Sequence, residues 1–274
     1  MSDCEQCPSK GTCKSNGNCN KFENHPLNRI AHTLAVMSGK GGVGKSTVTV
    51  LLARELKKRG LKVGILDADM TGPSIPRLTG TAGYRVEGGE QGMYPVQTVD
   101  ELSVMSVNYF LESEDTPVIW RGPLLAGTLK QFWNEVVWGE LDVLLIDMPP
   151  GTGDVAITVM QSLPLSASLM VTTPQDMVGM IVRKAVNMAD QVGVPVLGAV
   201  ENYSFMRCPC CGKETRLFHS EAKEPLHVLA RLPLCEQLGE VGPMGAIAND
   251  EIAADLAPMV DAVCEALNLK TENK

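Results

Sequence analysis

The chain has 274 residues, 44% of them hydrophobic, and a formal net charge of −8. That is enough length and apolar content for one large α/β domain with additions. The acidic balance argues against non-specific affinity for nucleic acid or anionic lipid; with no basic-then-apolar leader at Met1 and no apolar run long enough to cross a bilayer, the expected location is the cytoplasm, with neither nucleic acid nor membrane as partner.

Residues 1–28 read as a separate extension, polar and turn-rich, with too few apolar side chains to fold by packing alone. Four of the nine cysteines, Cys4, Cys7, Cys13 and Cys19, crowd into it. In a reducing compartment clustered thiols bind metal more often than they form disulfides, so a metal is expected to order this segment. The second domain, 29–274, opens with the short apolar run TLAVMS, which ends in a glycine-rich turn. STVTVLLARELKKRG follows as a helix closed by Gly60. KVGILDAD is the next buried strand, and VEGGEQGMYPV carries hairpin signals. LSVMSV, LDVLLID, ASLMVTT and PVLGAVEN are further strands, with helices near 123–138, 154–163 and 176–191, and APMVDAVCEAL is the last helix. Strands alternating with helices predict a largely parallel sheet covered on both faces. A cysteine-rich insertion, near 203–219, interrupts the pattern late in the chain.

The turn after the first strand reads SGKGGVGKST, which contains G-x-x-x-x-G-K-S as Gly39, Gly44, Lys45 and Ser46. It follows a strand and opens a helix, the context that gives this spacing its meaning. Glycines let backbone N–H groups from Gly39 to Thr47, through Gly41, Gly42 and Val43, wrap the phosphates of a nucleotide. The helix N-terminus adds positive potential, Lys45 reaches the β- and γ-phosphates, and Ser46 ligates Mg²⁺. In LLIDMPPGTGD a buried strand ends at Asp147, suited to hold the hydration shell of that ion. The glycine- and proline-rich stretch beyond it, through Asp154, can change shape when the γ-phosphate leaves.

K-G-G-V-G-K-S resembles the deviant P-loop of the MinD/ParA/nitrogenase-iron-protein superfamily. The resemblance implies that Lys40 reaches across a dimer to the partner's phosphates and counters charge on the transferred group. It also implies that Asp69 positions the attacking water, that Asp67 lies near the metal, and that Asn202 reads the adenine edge. With SGKGGVGKST, DADMTGPSIP, DMPPGTGD and VEN-x4-CPCCG in this order, the chain resembles the Mrp/ApbC/Nbp family of iron–sulfur cluster carrier ATPases from about Ile30 to Ala266. The last motif separates that family from MinD and ParA proteins. The N-terminal CEQCPSKGTC is similar to the later three cysteines of the cluster motif in some members; Cys19 is the candidate fourth ligand. Cys210 exceeds the family's two-cysteine pattern.

For Cys208 and Cys211, one C-x-x-C pair cannot close a tetrahedral zinc site, and His219 and His227 are spaced awkwardly to help. A thioredoxin-like redox pair belongs at a helix start, not after a late strand. Two such pairs meeting on a two-fold axis supply four thiolates, which suit a [4Fe–4S] cluster and also zinc. The resemblance selects iron–sulfur for this bridging site. At the N-terminus, a second [4Fe–4S] cluster is the first choice and zinc the alternative. Cys264 falls on an apolar helical face with Leu256, Val260 and Leu267 and reads as a buried core thiol; Cys235 carries no assignment.

The expected protein is a slow, homodimeric ATPase that passes [4Fe–4S] clusters to apo-proteins. Two rivals stand beside it: a MinD/ParA-like positioning ATPase, which the C-terminal NLKTENK and the net charge disfavour, and an ATP-gated electron-transfer protein.

Overall fold

The computed structural model describes residues 22–70, 72–111, 122–174, 178–216, 226–234 and 250–271. Cys4, Cys7, Cys13, Cys19, His219 and Cys235 lie outside the described residues. In chain order the elements are β1 (Arg29–Ser38), α1 (Lys45–Lys58), β2 (Val63–Asp67), α2 (Ile75–Leu78), β3 (Glu87–Gly89), β4 (Gly92–Tyr94), β5 (Val96–Gln97), β6 (Ser103–Met105), α3 (Gly122–Asn134), β7 (Glu140–Asp147), α4 (Asp154–Ser162), β8 (Ala167–Thr172), α5 (Val178–Val192), β9 (Val196–Arg207), β10 (Glu214–Arg216), β11 (Val228–Pro233) and α6 (Asp250–Ala266). Among the described residues no helix is long and apolar enough to cross a membrane.

The main sheet runs β10-β9-β8-β1-β7-β2-β6-β5, with β11 also paired to β9. Its pairings are parallel except β5 on β6 and β10 on β9. From β1 the chain crosses to β2 in one direction through α1, and from β7 it steps to β8 and β9 in the other through α4 and α5. Right-handed crossovers that travel in opposite directions put their helices on opposite faces. Accordingly α1 packs with α6, while α4 packs with both α3 and α5. The core lies between: Leu34 and Val36 of β1, Ile65 of β2, Leu144 and Ile146 of β7, and Leu51 and Leu52 of α1 are fully buried. This is the near-continuous apolar character that a doubly covered parallel strand demands.

Two strands are longer than their hydrophobic runs. β1 begins at Arg29, four residues before TLAVMS, because Arg29 already pairs with Glu140; the side chains of residues 29–32 are only partly covered. β9 continues past Asn202 to Arg207, beyond the point where β8 ends alongside it at Thr172. There it has partners in β10 and β11. Within the described part of the cysteine-rich insertion, residues 208–213 are therefore the tip of a β9–β10 hairpin.

Ahead of β1, residues 22–28 are tied to the domain. The Phe22 N–H donates to the Ser162 carbonyl at 2.8 Å and the Asn28 side-chain amide to that of Val136 at 2.8 Å.

Gly198 lets β9 and β11 approach. A Cβ there would stand 2.7 Å from the His227 carbonyl oxygen and 2.7 Å from the Leu229 side chain. Backbone cannot yield as a flexible side chain does, so Gly198→Ala is expected to destabilise the fold by about 1–3 kcal/mol; a urea midpoint measurement checks it.

Candidate functional site

The turn between β1 and α1 leaves the sheet at the carboxyl ends of its parallel strands, where open α/β sheets hold ligands. Gly44 sits before the first turn of α1 with φ of 80°, and its carbonyl accepts the Val48 N–H at 2.9 Å. No side chain caps this helix, so its first N–H groups remain available to an anion. A Cβ on Gly44 would come within 2.2 Å of Asn202 Nδ2. Glycine is required here by both the backbone and its neighbour.

Facing the turn is a buried charge cluster. Asp147, at the end of β7 and fully buried, accepts from Lys45 Nζ at 2.7 Å, from Ser46 Oγ at 2.6 Å and from Thr49 Oγ1 at 2.9 Å. Asp67, at the end of β2, pairs in register with Asp147 and is equally buried. It accepts from Ser106 Oγ at 3.1 Å and from the Asp69 N–H at 3.2 Å. Asp69 Oδ2 stands 3.9 Å from Lys45 Nζ. Three carboxylates thus surround one ammonium. Burial first, and then the charge on Asp147, push the Asp67 carboxyl well above the usual carboxylate range, although Lys45 and the Ser106 hydroxyl pull the other way. An excess of buried negative charge beside a free-ended helix suits a divalent cation carried in with phosphate oxygens.

The stretch after β7 touches the same turn. The Gly151 N–H donates to the Ser38 carbonyl at 2.8 Å, and α4 starts at Asp154, which is exposed. Lys40 lies partly buried at the mouth of the turn.

Asn202 is buried on β9, and its Nδ2 donates to the Val43 carbonyl at 3.0 Å while its Oδ1 accepts the Tyr203 N–H at 3.0 Å. Tyr203 follows with φ of 56°, a left-handed conformation that L side chains with a ring rarely adopt. Its hydroxyl lies 3.2 Å from the position a Gly44 Cβ would take. Four residues further, β9 ends and the tip begins. The Cys208 N–H donates to the Lys213 carbonyl at 3.0 Å, and the Gly212 N–H to the Cys208 carbonyl at 2.8 Å. Cys208, Cys210 and Cys211 are free thiols, the first partly covered and the other two exposed. Backbone N–H groups, of Cys210 first and then Cys211, hold the Cys208 thiol below its ordinary value, which favours the thiolate that binds metal. Among the described residues no three or more Cys, His, Asp or Glu side chains converge as a metal site.

The structure gathers the glycine-rich turn, Lys45, Ser46, Asp67, Asp69, Asp147 and Asn202 at one end of the sheet, with Cys208 and Cys211 beyond it at the tip that follows β9. His227 is exposed. Cys264 departs from its reading as a core thiol: it is half-buried, with Arg59 Nη1 3.7 Å from its Sγ, because that face of α6 meets the end of α1 as well as the core. Three contributors escaped the sequence reading. Thr49 is one turn from Lys45 on the same helix face, a spacing that could have revealed it. Ser106 and Tyr203 had no such signal.

Strand order, switch-point position and phosphate-loop geometry define a P-loop NTPase. Residues 29–267 match the NUBPL iron-transfer P-loop NTPase family, a ParA-type family, and the chain belongs to it. An iron–sulfur cluster carrier protein of Clostridium perfringens is 45% identical over 252 residues, covering 87% of this chain and 88% of its own. The nucleotide-binding protein of Archaeoglobus fulgidus, solved in complex with ADP, is 42% identical with a TM-score of 0.70, covering 81% of this chain and 89% of that one. The cell-division ATPase MinD of Pyrococcus furiosus shares the fold at 21% identity, with a TM-score of 0.62 over 86% of this chain and 99% of its own.

A carboxyl with a raised native pKa binds its proton more tightly when folded, so stability falls as pH rises from the ordinary carboxylate value towards the raised one. Asp67→Asn is expected to raise the melting temperature of nucleotide-free protein in chelator at about pH 8, with the advantage shrinking as pH falls towards about 4. A melting series across that window checks it; an equal gain at every pH contradicts it.

Proposed function

We propose that this chain is an ATP-hydrolysing carrier that holds a [4Fe–4S] cluster between two copies of itself and delivers it to apo-proteins. The observation that carries this reading is the continuity of β9, which bonds to the phosphate loop at Asn202 and ends, five residues later, at a tip bearing three free thiols. The family and the names of the relatives support it.

In this reading the backbone from Gly39 to Thr47 wraps the phosphates of Mg-ATP. Lys45, which pairs with Asp147, is placed to serve the β- and γ-phosphates. Ser46 and Asp147 would hold Mg²⁺, which would neutralise charge on the phosphate oxygens. Asp69 orients water for attack on the γ-phosphorus, giving ADP and inorganic phosphate, and Lys40 answers the charge on a partner copy's nucleotide. Asn202 reads the base. Turnover is slow.

Cys208 and Cys211 supply two thiolates to the cluster and a second copy supplies two more. Among the described residues no group of three or more ligating side chains converges at the tip, and a second copy would complete the set. Residues 1–28 form a metal-binding extension, tied to the domain at residues 22–28, in which Cys4, Cys7, Cys13 and Cys19 hold a second cluster or zinc. The thiols stay reduced in the cytoplasm.

Anaerobic reconstitution followed by iron and sulfide assays is expected to load the bridging site with about four irons per dimer. A Cys208→Ser and Cys211→Ser double variant loses that cluster. Protein that takes up zinc alone, unchanged in the double variant, contradicts the reading. Lys45→Ala is expected to lose ATP binding while accepting a cluster as before; isothermal titration and the same iron assay check both halves.

A further inference from the structure

At the root of the thiol-bearing tip is a clamp whose central residue has no part in the nucleotide chemistry. Arg207 is the last residue of β9, directly before Cys208. Its guanidinium grips Asp255 of α6 with both prongs, Nη1 to Oδ2 at 2.8 Å and Nη2 to Oδ1 at 2.7 Å. Nε and Nη2 each reach Glu214 Oε1 at 3.2 Å. Glu214 opens β10 and stands opposite Arg207 in the ladder. The same guanidinium lies over the Phe205 ring, 5.0 Å from its centre.

The side chains of Arg207 and Asp255 are 29% and 13% exposed, so this pair is less screened than an open surface pair. A bidentate fork fixes direction as well as distance, which a lysine cannot do. The clamp also has a far side. Helix α6 is braced to the end of α1 by Arg59 Nη2 and Asp261 Oδ1 at 2.7 Å, and α1 begins at Lys45. One helix therefore holds both the helix of the phosphate loop and the base of the tip.

We propose that Arg207 is a positioning residue for the cluster site: through Asp255 and Glu214 it sets the direction in which Cys208 and Cys211 present their thiols. Its guanidinium is engaged by two carboxylates and is not the group that neutralises the cluster. The tip's own bonds, between Cys208 and Lys213 and between Gly212 and Cys208, shape the turn but do not orient it against the domain. The role rests on the carrier reading above, and groups that orient metal ligands from behind are worth about 10–100-fold in metal affinity.

The test compares reconstituted wild type with Asp255→Asn, Arg207→Lys and Asp255→Glu. It follows cluster loss to an iron chelator and visible circular dichroism of the cluster, with ATP affinity and the melting temperature of cluster-free protein measured alongside. Asp255→Asn and Arg207→Lys are expected to shorten the cluster half-life by about tenfold and to alter the dichroism, with ATP affinity and melting temperature close to wild type. Asp255→Glu, which keeps a carboxylate, recovers part of the half-life. A half-life unchanged in both disruptive variants overturns the positioning role and leaves the carrier reading intact. A shortened half-life accompanied by lost ATP binding and a collapsed melting temperature also overturns it, by making the clamp a general support of the fold. Wild type that holds no bridging cluster overturns the carrier reading and this role with it.

Discussion

Lys45 and Asp147 meet 2.7 Å apart, the carboxylate fully buried and the lysine nearly so. Neither could be buried alone: an isolated charge in such a setting costs several kcal/mol after relaxation. The pair does not balance the site, since Asp67 and Asp69 leave it with more negative charge than one ammonium can answer. The strain shows in Asp67, whose proton burial holds on to. The central strands are arranged around this imbalance. β2 and β7 end in register so that their terminal carboxylates stand side by side, and the turn from β1 delivers Lys45 and Ser46 against them. A cation carried in with phosphate oxygens relieves the excess, which makes the pocket a receptor for a metal–nucleotide complex.

β9 connects this electrostatic centre to the thiols. Asn202 is six residues before Cys208, at most about 20 Å along an extended strand. The intervening backbone is not uniform. Tyr203 is held left-handed at a cost of order 1–2 kcal/mol, with its N–H bonded to Asn202 and its hydroxyl above Gly44. The bend lies where β9 touches the phosphate loop, so a change of loop geometry acts on the one residue of the strand that gains by relaxing. Below the tip, α6 supplies a second connection through Arg207 and Arg59. In the electron-transfer rival cysteines relay charge; in this architecture the nucleotide and the thiols share rigid elements, which suits control of retention and release.

The phosphate loop was legible because its chemistry is local: glycines, a lysine and a serine at fixed spacing between a strand and a helix. Asp147 was legible because it ends an apolar run. Ser106 was not, because nothing in the chain says that β6 lies beside β2, and only that neighbour relation brings its hydroxyl to Asp67. Tyr203 gave no warning, since tyrosine is not a residue associated with left-handed backbone; tertiary contacts hold it there. The extension of β9 was hidden for a similar reason. Apolar residues marked the part covered by β8, and the strand beyond is supported by β10 and β11, whose pairing follows from topology. Arg207 and Asp255, forty-eight residues apart, belong to the same class of contact. For the proposed bridging site the cysteine motif was legible without any geometry, since in that proposal the remaining ligands come from a second copy.

The central claim is that occupancy of the phosphate loop is felt at the thiol-bearing tip. Amide hydrogen exchange of the cluster-free protein, with and without a non-hydrolysable Mg-ATP analogue, tests it most directly. The account predicts slower exchange from Gly39 to Thr47 together with a change in rate across Tyr203 to Glu214. Protection confined to the phosphate loop and its helix, with residues 203–214 exchanging as before, would contradict it.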